Sequence, residues 1–475
     1  MNIKTRFAPS PTGSMHIGSV RTALYSWLFA RHYDGEFILR IENTDYNRCN
    51  YSFVKDIIDN LNWLGLTWDR APFFQTDNLK QYNLIIKNML LNKVAYKCYC
   101  SLERLQKLRN YQMSKGIKFR YDNKCRDVKY YTKFNQPYVV RFKNPEFGIV
   151  SFNDKIRGLI NFKNTELDDL VIMRSNGIPT YNFCSVIDDS NMQITHVIRG
   201  EEHINNTPRQ INMLNSLEKS IPIYAHLPII LDTNGKKMSK RNNTLMNNLF
   251  DYRKSGYLPE SILNYLLRLG WSYKNKEIFS IDEMKNLFNL KSVNKSSCFF
   301  DIKKLQWLNN YYINKLPRNY IICNLKKQFD NDELNHFNNF NLSNCVEVFS
   351  QRCQTLKQLS DYCRLIYNNI DNFKSNLSRK YLKIDFINCL TDVYNKLYLL
   401  DVWIKDDISV LIKKMSLNYK NNLSFFYMSL RVALINNITP ISLISLLYAI
   451  GRKHSLQRIK KAIFYIYKKY SKHIF

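Results

Sequence analysis

Within its first 45 residues the chain commits to a single crossover. Ile3 to Phe7 alternates like a short strand, and Pro9, Ser10, Pro11, Thr12 and Gly13 then break regular structure. A helix is predicted from about Ser19, with Val20, Leu24, Trp27 and Leu28 on one face and Gly35 in the turn beyond it. Glu36 to Glu42 is the next strand, where Phe37, Leu39 and Ile41 alternate with Ile38, Arg40 and Glu42. Two strands joined through a helix form a βαβ unit, which calls for a parallel, doubly wound sheet. Such sheets bind ligands beyond the carboxyl ends of their strands. Two segments lie at such ends here, 9–18 and 42–45.

The pattern breaks from about Tyr96 to Gly177. Short strand-like runs at 138–142 and 149–152 alternate with basic loops, as in an inserted α+β segment. A strand–helix pattern resumes around 180–214, and a loop at 233–243 carries Gly235. Past Asp251 the pattern is helical almost to the end. Leu456, Ile459, Ile463 and Ile466 have 3–4–3 spacing, with Lys460, Lys461, Lys468 and Lys469 off that face. The chain shows no internal repeat and no Gly/Ser-rich linker.

Charge narrows the partner. The net charge is +31, and residues 311–475 alone carry 25 basic against 11 acidic side chains. An excess spread over both parts of the chain fits a long polyanion lying across several domains. Part of it reflects the general abundance of Lys, Asn, Ile and Tyr, a bias expected of A/T-rich codons. No run of about 18 apolar residues appears, so no membrane span is expected. The first residues lack a signal-peptide core. Eleven scattered cysteines point to reduced thiols in a cytosol.

Two segments carry chemistry. In 9–18 prolines stiffen a loop, Gly18 opens the helix, and the helix N-terminus offers free N–H groups and partial positive charge for a phosphate. His16 lies within reach of such a phosphate. Alone, this reads as an N-capping loop with a surface histidine. The second segment, Gly235-Lys236-Lys237-Met238-Ser239-Lys240-Arg241, is a basic loop suited to the charge that grows on a departing pyrophosphate. Alone, it is an exposed basic loop or a nucleic-acid contact.

Together the two resemble the paired ATP motifs of class I aminoacyl-tRNA synthetases. Met15-His16-Ile17-Gly18-Ser19 matches the first, with Ser19 in place of its final His, and Lys237–Lys240 followed by Arg241 matches the second. The resemblance narrows to bacterial-type glutamyl-tRNA synthetases through Arg6–Gly13, Leu39–Asp45, Pro179–Phe183, Val197–His203, Asn205–Gln210 and Leu266–Trp271. It is nearly collinear from residue 3 to about 310 and looser beyond. The resemblance implies that Pro9, Ser10, His16, Gly18, Lys237, Met238, Ser239, Lys240 and Arg241 bind ATP, with His16, Lys237 and Lys240 catalytic. It assigns glutamate to Arg6, Ala8, Ser10, Glu42, Tyr181 and Arg199. Arginine forks suit the two carboxylates and Glu42 suits the ammonium. A further family contact falls on Ser185, which is short for that task. Arg40, beside Glu42 on its strand, reads as a structural partner.

The implied architecture is a Rossmann-type α/β catalytic domain at 1–95 and 178–250. An inserted α+β segment at 96–177 binds the tRNA acceptor end. A helical stem-contact region spans 251–310, and an all-α anticodon-binding domain spans 311–475. The implied reaction is two-step attachment of glutamate to tRNA through glutamyl-adenylate, with ATP and Mg²⁺, by a cytoplasmic monomer. Cys98, Cys100 and Cys125 resemble a zinc site of some members. Asp127 stands at its histidine position, with Tyr121 or water as other fourth ligands. In the helical region Arg352, Arg364, Arg431 and Arg452 are candidate base-reading donors, and Ile435-Asn436-Asn437 replaces a usual Thr-Gly turn. Alternatives are an enzyme that also loads glutamine tRNA with glutamate, and a non-catalytic tRNA-binding relative.

Overall fold

The computed structural model describes residues 2–45, 48–117, 119–128, 136–238, 248–337, 342–367, 370, 373, 375–419 and 422–471. The predicted crossover is there. Strand β1 (Lys4–Phe7) runs through helix α1 (Ile17–His32) to β2 (Glu36–Ile41), and the strands pair in parallel, Lys4 opposite Glu36 and Phe7 opposite Leu39. Helix α1 begins two residues earlier than the periodicity predicts. His16 is the N-cap, its Nδ1 accepting from the Gly18 amide at 3.0 Å. Gly35 is where the chain can turn so tightly: a Cβ there would stand 2.2 Å from the Ile3 carbonyl oxygen.

Helix α2 (Tyr51–Leu64) leads to β3 (Phe73–Phe74), which extends the parallel sheet beside β2. After α3 (Leu79–Leu91) comes the inserted segment: β4 (Ala95–Cys98), α4 (Leu102–Ser114), β5 (Val139–Phe142), β6 (Ile149–Asp154), β7 (Gly158–Lys163) and β8 (Val171–Met173). Strands β4, β5 and β8 form an antiparallel sheet, and β6 and β7 a hairpin. The first keeps a small cluster of its own, Tyr96 and Cys98 with Tyr121 and Cys125, but both lean on the host. Val140, Phe142 and Ile172 pack with Tyr82 and Ile86 of α3, Phe183 of α5 (Tyr181–Asn191) and Met213 of α6 (Thr207–Ser216). Val150 and Phe152 of the hairpin pack on Ile38, on Val197 of β9 (His196–Gly200) and on Tyr224 of β10 (Ile223–Leu227). Strands β9 and β10 are parallel to each other. Thr195 ties β9 to β1, its amide donating to the Lys4 carbonyl at 3.0 Å and its hydroxyl accepting from the Lys4 amide at 2.8 Å.

Contacts divide the chain into two compact units, residues 1–252 with 259–305, and residues 253–258 with 306–475. Most of the stretch expected to be a separate stem-contact region therefore groups with the sheet. It is not purely helical: after α7 (Leu249–Lys254), α8 (Pro259–Arg268) and α9 (Ile281–Leu287), β12 (Cys298–Phe299) pairs in parallel with β11 (Ile230–Leu231). This stretch buries the side of α1 that the periodicity left polar. Tyr25 donates to the Leu267 carbonyl at 2.9 Å and Arg21 to that of Leu269 at 3.0 Å.

Past α10 (Ile302–Lys315), the second unit is all helical among its described residues. Its helices are α11 (Arg318–Lys326), α12 (Asn331–Phe337), α13 (Leu342–Phe349), α14 (Leu356–Tyr367), α15 (Asn376–Tyr381), α16 (Ile387–Tyr398), α17 (Lys405–Leu417), α18 (Leu423–Ile435), α19 (Leu443–Ile450) and α20 (Arg452–Ser471). Helix α20 buries Ser455, Arg458, Ile459, Ala462 and Ile466, while Leu456 and Ile463 are only half-buried. The expected face is thus rotated toward the small residues, which let a neighbouring helix approach closely. Among the described residues no helix is long and apolar enough to cross a membrane.

Candidate active site

A cavity of about 450 Å³ opens at the carboxyl ends of β1, β2 and β9. Arg6, Ala8, Ser10, Glu42, Tyr181 and Arg199, the predicted glutamate set, all line it. So do Pro9, His16, Gly18, Lys237 and Met238 of the ATP set. The remaining three, Ser239, Lys240 and Arg241, lie outside the described residues.

The charged side chains are held from behind. Arg6 Nε donates to Asp189 Oδ1 at 3.1 Å, and Nη1 lies 3.5 Å from the Ile198 carbonyl. Arg199 Nε reaches His226 Nε2 at 3.2 Å, and Nη2 donates to Thr207 Oγ1 at 2.8 Å. Glu42 Oε1 accepts from Arg40 Nη2 and from Ser185 Oγ, both at 3.1 Å. Arg40 is wholly buried and also donates to Asp189 at 2.6 Å, so its reading as a structural partner stands. Ser185 touches Glu42, not the cavity lining. What remains is informative: among the described residues, Arg6 Nη2, Arg199 Nη1 and Glu42 Oε2 have no protein partner. Two guanidinium edges and one carboxylate oxygen are the complement of two carboxylates and one ammonium.

Charge in this pocket is tuned by burial. Burial raises the Glu42 carboxyl, against the pull of Arg40 and Arg6. Asp189 is buried too, but Arg40 and Arg6 together hold it below the usual carboxylate range. Tyr181, whose hydroxyl lies 3.3 Å from His203 Nδ1, is raised by burial. Burial, then the nearby Arg199, lowers His203 to about 4, so its imidazole is neutral near pH 7. Asp188, Asp189 and His203 were not singled out from sequence. The available signal was a pair of adjacent acids directly after the apolar pair Val186-Ile187, since acids in a buried helix need buried cations.

On the ATP side, α1 presents its N-terminus to the cavity through Gly18. A Cβ at Gly18 would crowd His16 Nδ1 at 3.3 Å, so the bare backbone and the histidine cap are matched. Gly235 takes φ +74° in the turn before Lys237, and the Met238 amide donates to the Ile230 carbonyl at 3.2 Å. Lys237 is exposed and Met238 buried, so the cation stands beside an anchored strand edge.

The cysteine cluster assembles without Asp127. The Cys98, Cys100 and Cys125 sulfurs lie within 4.8 Å of one another. Asp127 is exposed and pairs with Lys143 Nζ at 3.1 Å, because the turn at 124–127 carries it outward. Tyr121 lies beside the sulfurs instead. Its hydroxyl is 3.3 Å from Cys98 Sγ and 3.6 Å from Cys100 Sγ, which is itself 3.6 Å from Cys125 Sγ. Zinc–sulfur bonds of about 2.3 Å in a tetrahedron require sulfur–sulfur edges of about 3.8 Å, so the donor set fits a zinc ion. Arg141 stands over the Tyr121 ring and Arg104 Nη1 is 3.4 Å from Cys100 Sγ, supplying positive charge beside the cluster.

In the helical unit the four candidate base-reading arginines are engaged within the fold. Arg431 donates to the Thr439 and Ile441 carbonyls at 2.8 and 2.7 Å, Arg352 to that of Pro440 at 3.0 Å, and Arg452 to that of Tyr398. Arg364 bridges Glu333 and the Gln328 carbonyl. Carbonyls at helix ends and turns lack helical partners, and these side chains satisfy them. Asn436 resolves the altered turn. It closes α18 at φ +48°, and its Oδ1 accepts from the Ser375 and Ser378 hydroxyls at 2.7 Å each.

Comparison with known proteins follows the same division. Residues 2–307 match the family of class I tRNA synthetases (E and Q), catalytic domain, and residues 313–463 match an anticodon binding domain family. The chain is 49% identical over 466 residues to the glutamate–tRNA ligase of Buchnera aphidicola subsp. Baizongia pistaciae, covering 98% of both chains. It is 48% identical over 470 residues to that of Wigglesworthia glossinidia brevipalpis, again covering 98% of both. A crystal structure of a glutamate tRNA ligase from Elizabethkingia meningosepticum, in complex with its amino acid, superposes with a TM-score of 0.82 at 29% identity. That match covers 98% of this chain and 100% of the other. With a full-length match in sequence, in structure and in both domains, the chain belongs to the bacterial glutamate–tRNA ligases of the class I aminoacyl-tRNA synthetases.

Proposed function

We propose that the cavity holds glutamate and ATP side by side, and that Arg6, Glu42 and Arg199 select the amino acid. The observation that carries this reading is the set of unpartnered polar atoms: two cationic edges and one anionic oxygen facing the same space. The chain is a glutamate–tRNA ligase, so the reaction consumes ATP. The glutamate α-carboxylate oxygen bonds to the α-phosphorus, and the bond to the bridging oxygen of pyrophosphate breaks. The terminal ribose hydroxyl of tRNA then attacks the acyl carbon, and AMP leaves. Positioning and charge stabilisation suffice, with no protein nucleophile. The phosphates are assigned to the α1 N-terminus, His16 and the Lys-Met-Ser-Lys segment that begins at Lys237, and Mg²⁺ accompanies ATP. The inserted segment receives the acceptor end, the helical unit the anticodon, and the enzyme works as a cytoplasmic monomer.

Pyrophosphate exchange with tRNA present tests the assignment. Arg6→Ala and Arg199→Ala each raise KM for glutamate by about 100-fold, the worth of a charge-assisted hydrogen-bond pair, with KM for ATP little changed. Lys240→Ala lowers exchange far more than tRNA binding. Charging purified glutamate and glutamine tRNAs side by side decides whether both are substrates.

We further propose one structural zinc ion held by Cys98, Cys100, Cys125 and the Tyr121 oxygen. Metal analysis should then find close to one equivalent, and less than about 0.2 equivalents refutes it. Asp127→Ala should leave the content unchanged.

A further inference from the structure

Arg199 is aimed by a buried relay that begins outside the Rossmann-type core. His226, on β10, is wholly inaccessible to solvent. Its Nδ1 lies 2.7 Å from Asp154 Oδ2, and its Nε2 lies 3.2 Å from Arg199 Nε. Facing a carboxylate, Nδ1 carries the proton, so Nε2 is left as an acceptor. That is the tautomer Arg199 needs, since a guanidinium can only donate. Thr207 completes the arrangement. Its hydroxyl accepts from Arg199 Nη2 at 2.8 Å and sits 3.1 Å from His226 Nε2 and 3.2 Å from the His203 carbonyl. The guanidinium edge made by Nε and Nη2 is thereby filled.

Asp154 is itself fixed. It accepts from the backbone amides of Ile156 at 2.9 Å, Arg157 at 2.8 Å and His226 at 3.1 Å. These bonds favour its ionised form. It is the last residue of β6, at the turn of the inserted hairpin, and the Lys155 amide donates to the Tyr224 carbonyl at 2.9 Å to hold that turn against β10. Phe152 and Tyr224 close around the His226 ring with centroids 6.2 and 6.0 Å away. No part of the relay lines the cavity except Arg199 and His203.

We infer that Asp154 and His226 are positioning residues for the amino acid substrate. By fixing the His226 tautomer they lock the Nε–Nη2 edge of Arg199 and turn its remaining donors toward a substrate carboxylate. The inference rests on the reading of Arg199 as a glutamate ligand.

Two substitutions at one position separate this role from mere core packing. In His226→Asn the amide still donates to Asp154 but falls short of Arg199. In His226→Gln the side chain reaches about as far as Nε2 and offers an oxygen to Arg199. KM for glutamate in pyrophosphate exchange should rise about tenfold or more in His226→Asn and less than about threefold in His226→Gln, with KM for ATP unchanged in both. Equal increases in the two variants, or none in His226→Asn, overturn the inference. If either fails to fold, Asp154→Asn decides. Its amide nitrogen would donate to Nδ1 and shift the proton to Nε2, so that two N–H groups meet at Arg199. The same rise in KM for glutamate is expected, and an unchanged KM refutes the relay. Arg199→Ala is the control: if it leaves KM for glutamate unchanged, the pocket assignment has failed, not the relay.

Discussion

Arg40 shows how the pocket keeps its charges. One fully buried guanidinium stands among Asp188, Asp189 and Glu42, at 3.7, 2.6 and 3.1 Å. Asp188 is satisfied further by Gln75 at 2.7 Å and Tyr82 at 2.6 Å. Removing one partner from a buried ionic network leaves uncompensated charge, so Arg40→Met should lower unfolding free energy by about 3 kcal/mol or more in urea melts. Histidines set the acid limb. Burial, then Lys155, lowers His196 to about 4, against an ordinary value of 6.5. Between those values the unfolded chain binds a proton that the folded chain refuses, so stability is lost as pH falls from 6.5 toward 4. In His196→Gln the slope of stability against pH over that window should shrink by roughly one proton. The residues that line the cavity were legible in sequence because they sit in contiguous motifs. Those behind them were not: Arg6 and Asp189 are far apart in the chain, and nothing local marks their meeting.

Among elements, the β1–α1–β2 crossover was the most legible, because prolines and glycine punctuate it and both strands alternate. Gly35 is its tightest point. Gly35→Ala would push a methyl into the Ile3 carbonyl that accepts from the Glu36 amide at 2.8 Å, and should cost about 1–3 kcal/mol by overpacking. The end of α18 was illegible because the family's turn is replaced. Asn tolerates the left-handed conformation and also caps two hydroxyls. Asn436→Gly should lose only the hydrogen bonds, about 1 kcal/mol, and Asn436→Ala more, as read from melting temperatures. The outward turn of Asp127 and the rotated face of α20 were missed for one reason. Spacing counts residues, and here a loop geometry and the packing of small side chains decided the outcome.

For the whole molecule, charge is the property that composition exposed most directly. A net +31 spread over both units implies many phosphate contacts. Their counterion release should weaken tRNA binding at least about tenfold between roughly 50 and 200 mM salt, measurable by filter binding. The segment 96–177 was legible as a break in periodicity. Its dependence on its host was not. That segment has the outline of a cassette, yet its strands lean on α3, α5 and α6, and its hairpin delivers Asp154 to His226, which backs Arg199. Exchanging it for the equivalent piece of a relative would transplant part of the support of the proposed glutamate pocket along with the surface proposed to meet the acceptor end. A chimaera designed to alter which tRNA is held should therefore also change how well glutamate is held, unless the aspartate at the hairpin turn travels with it.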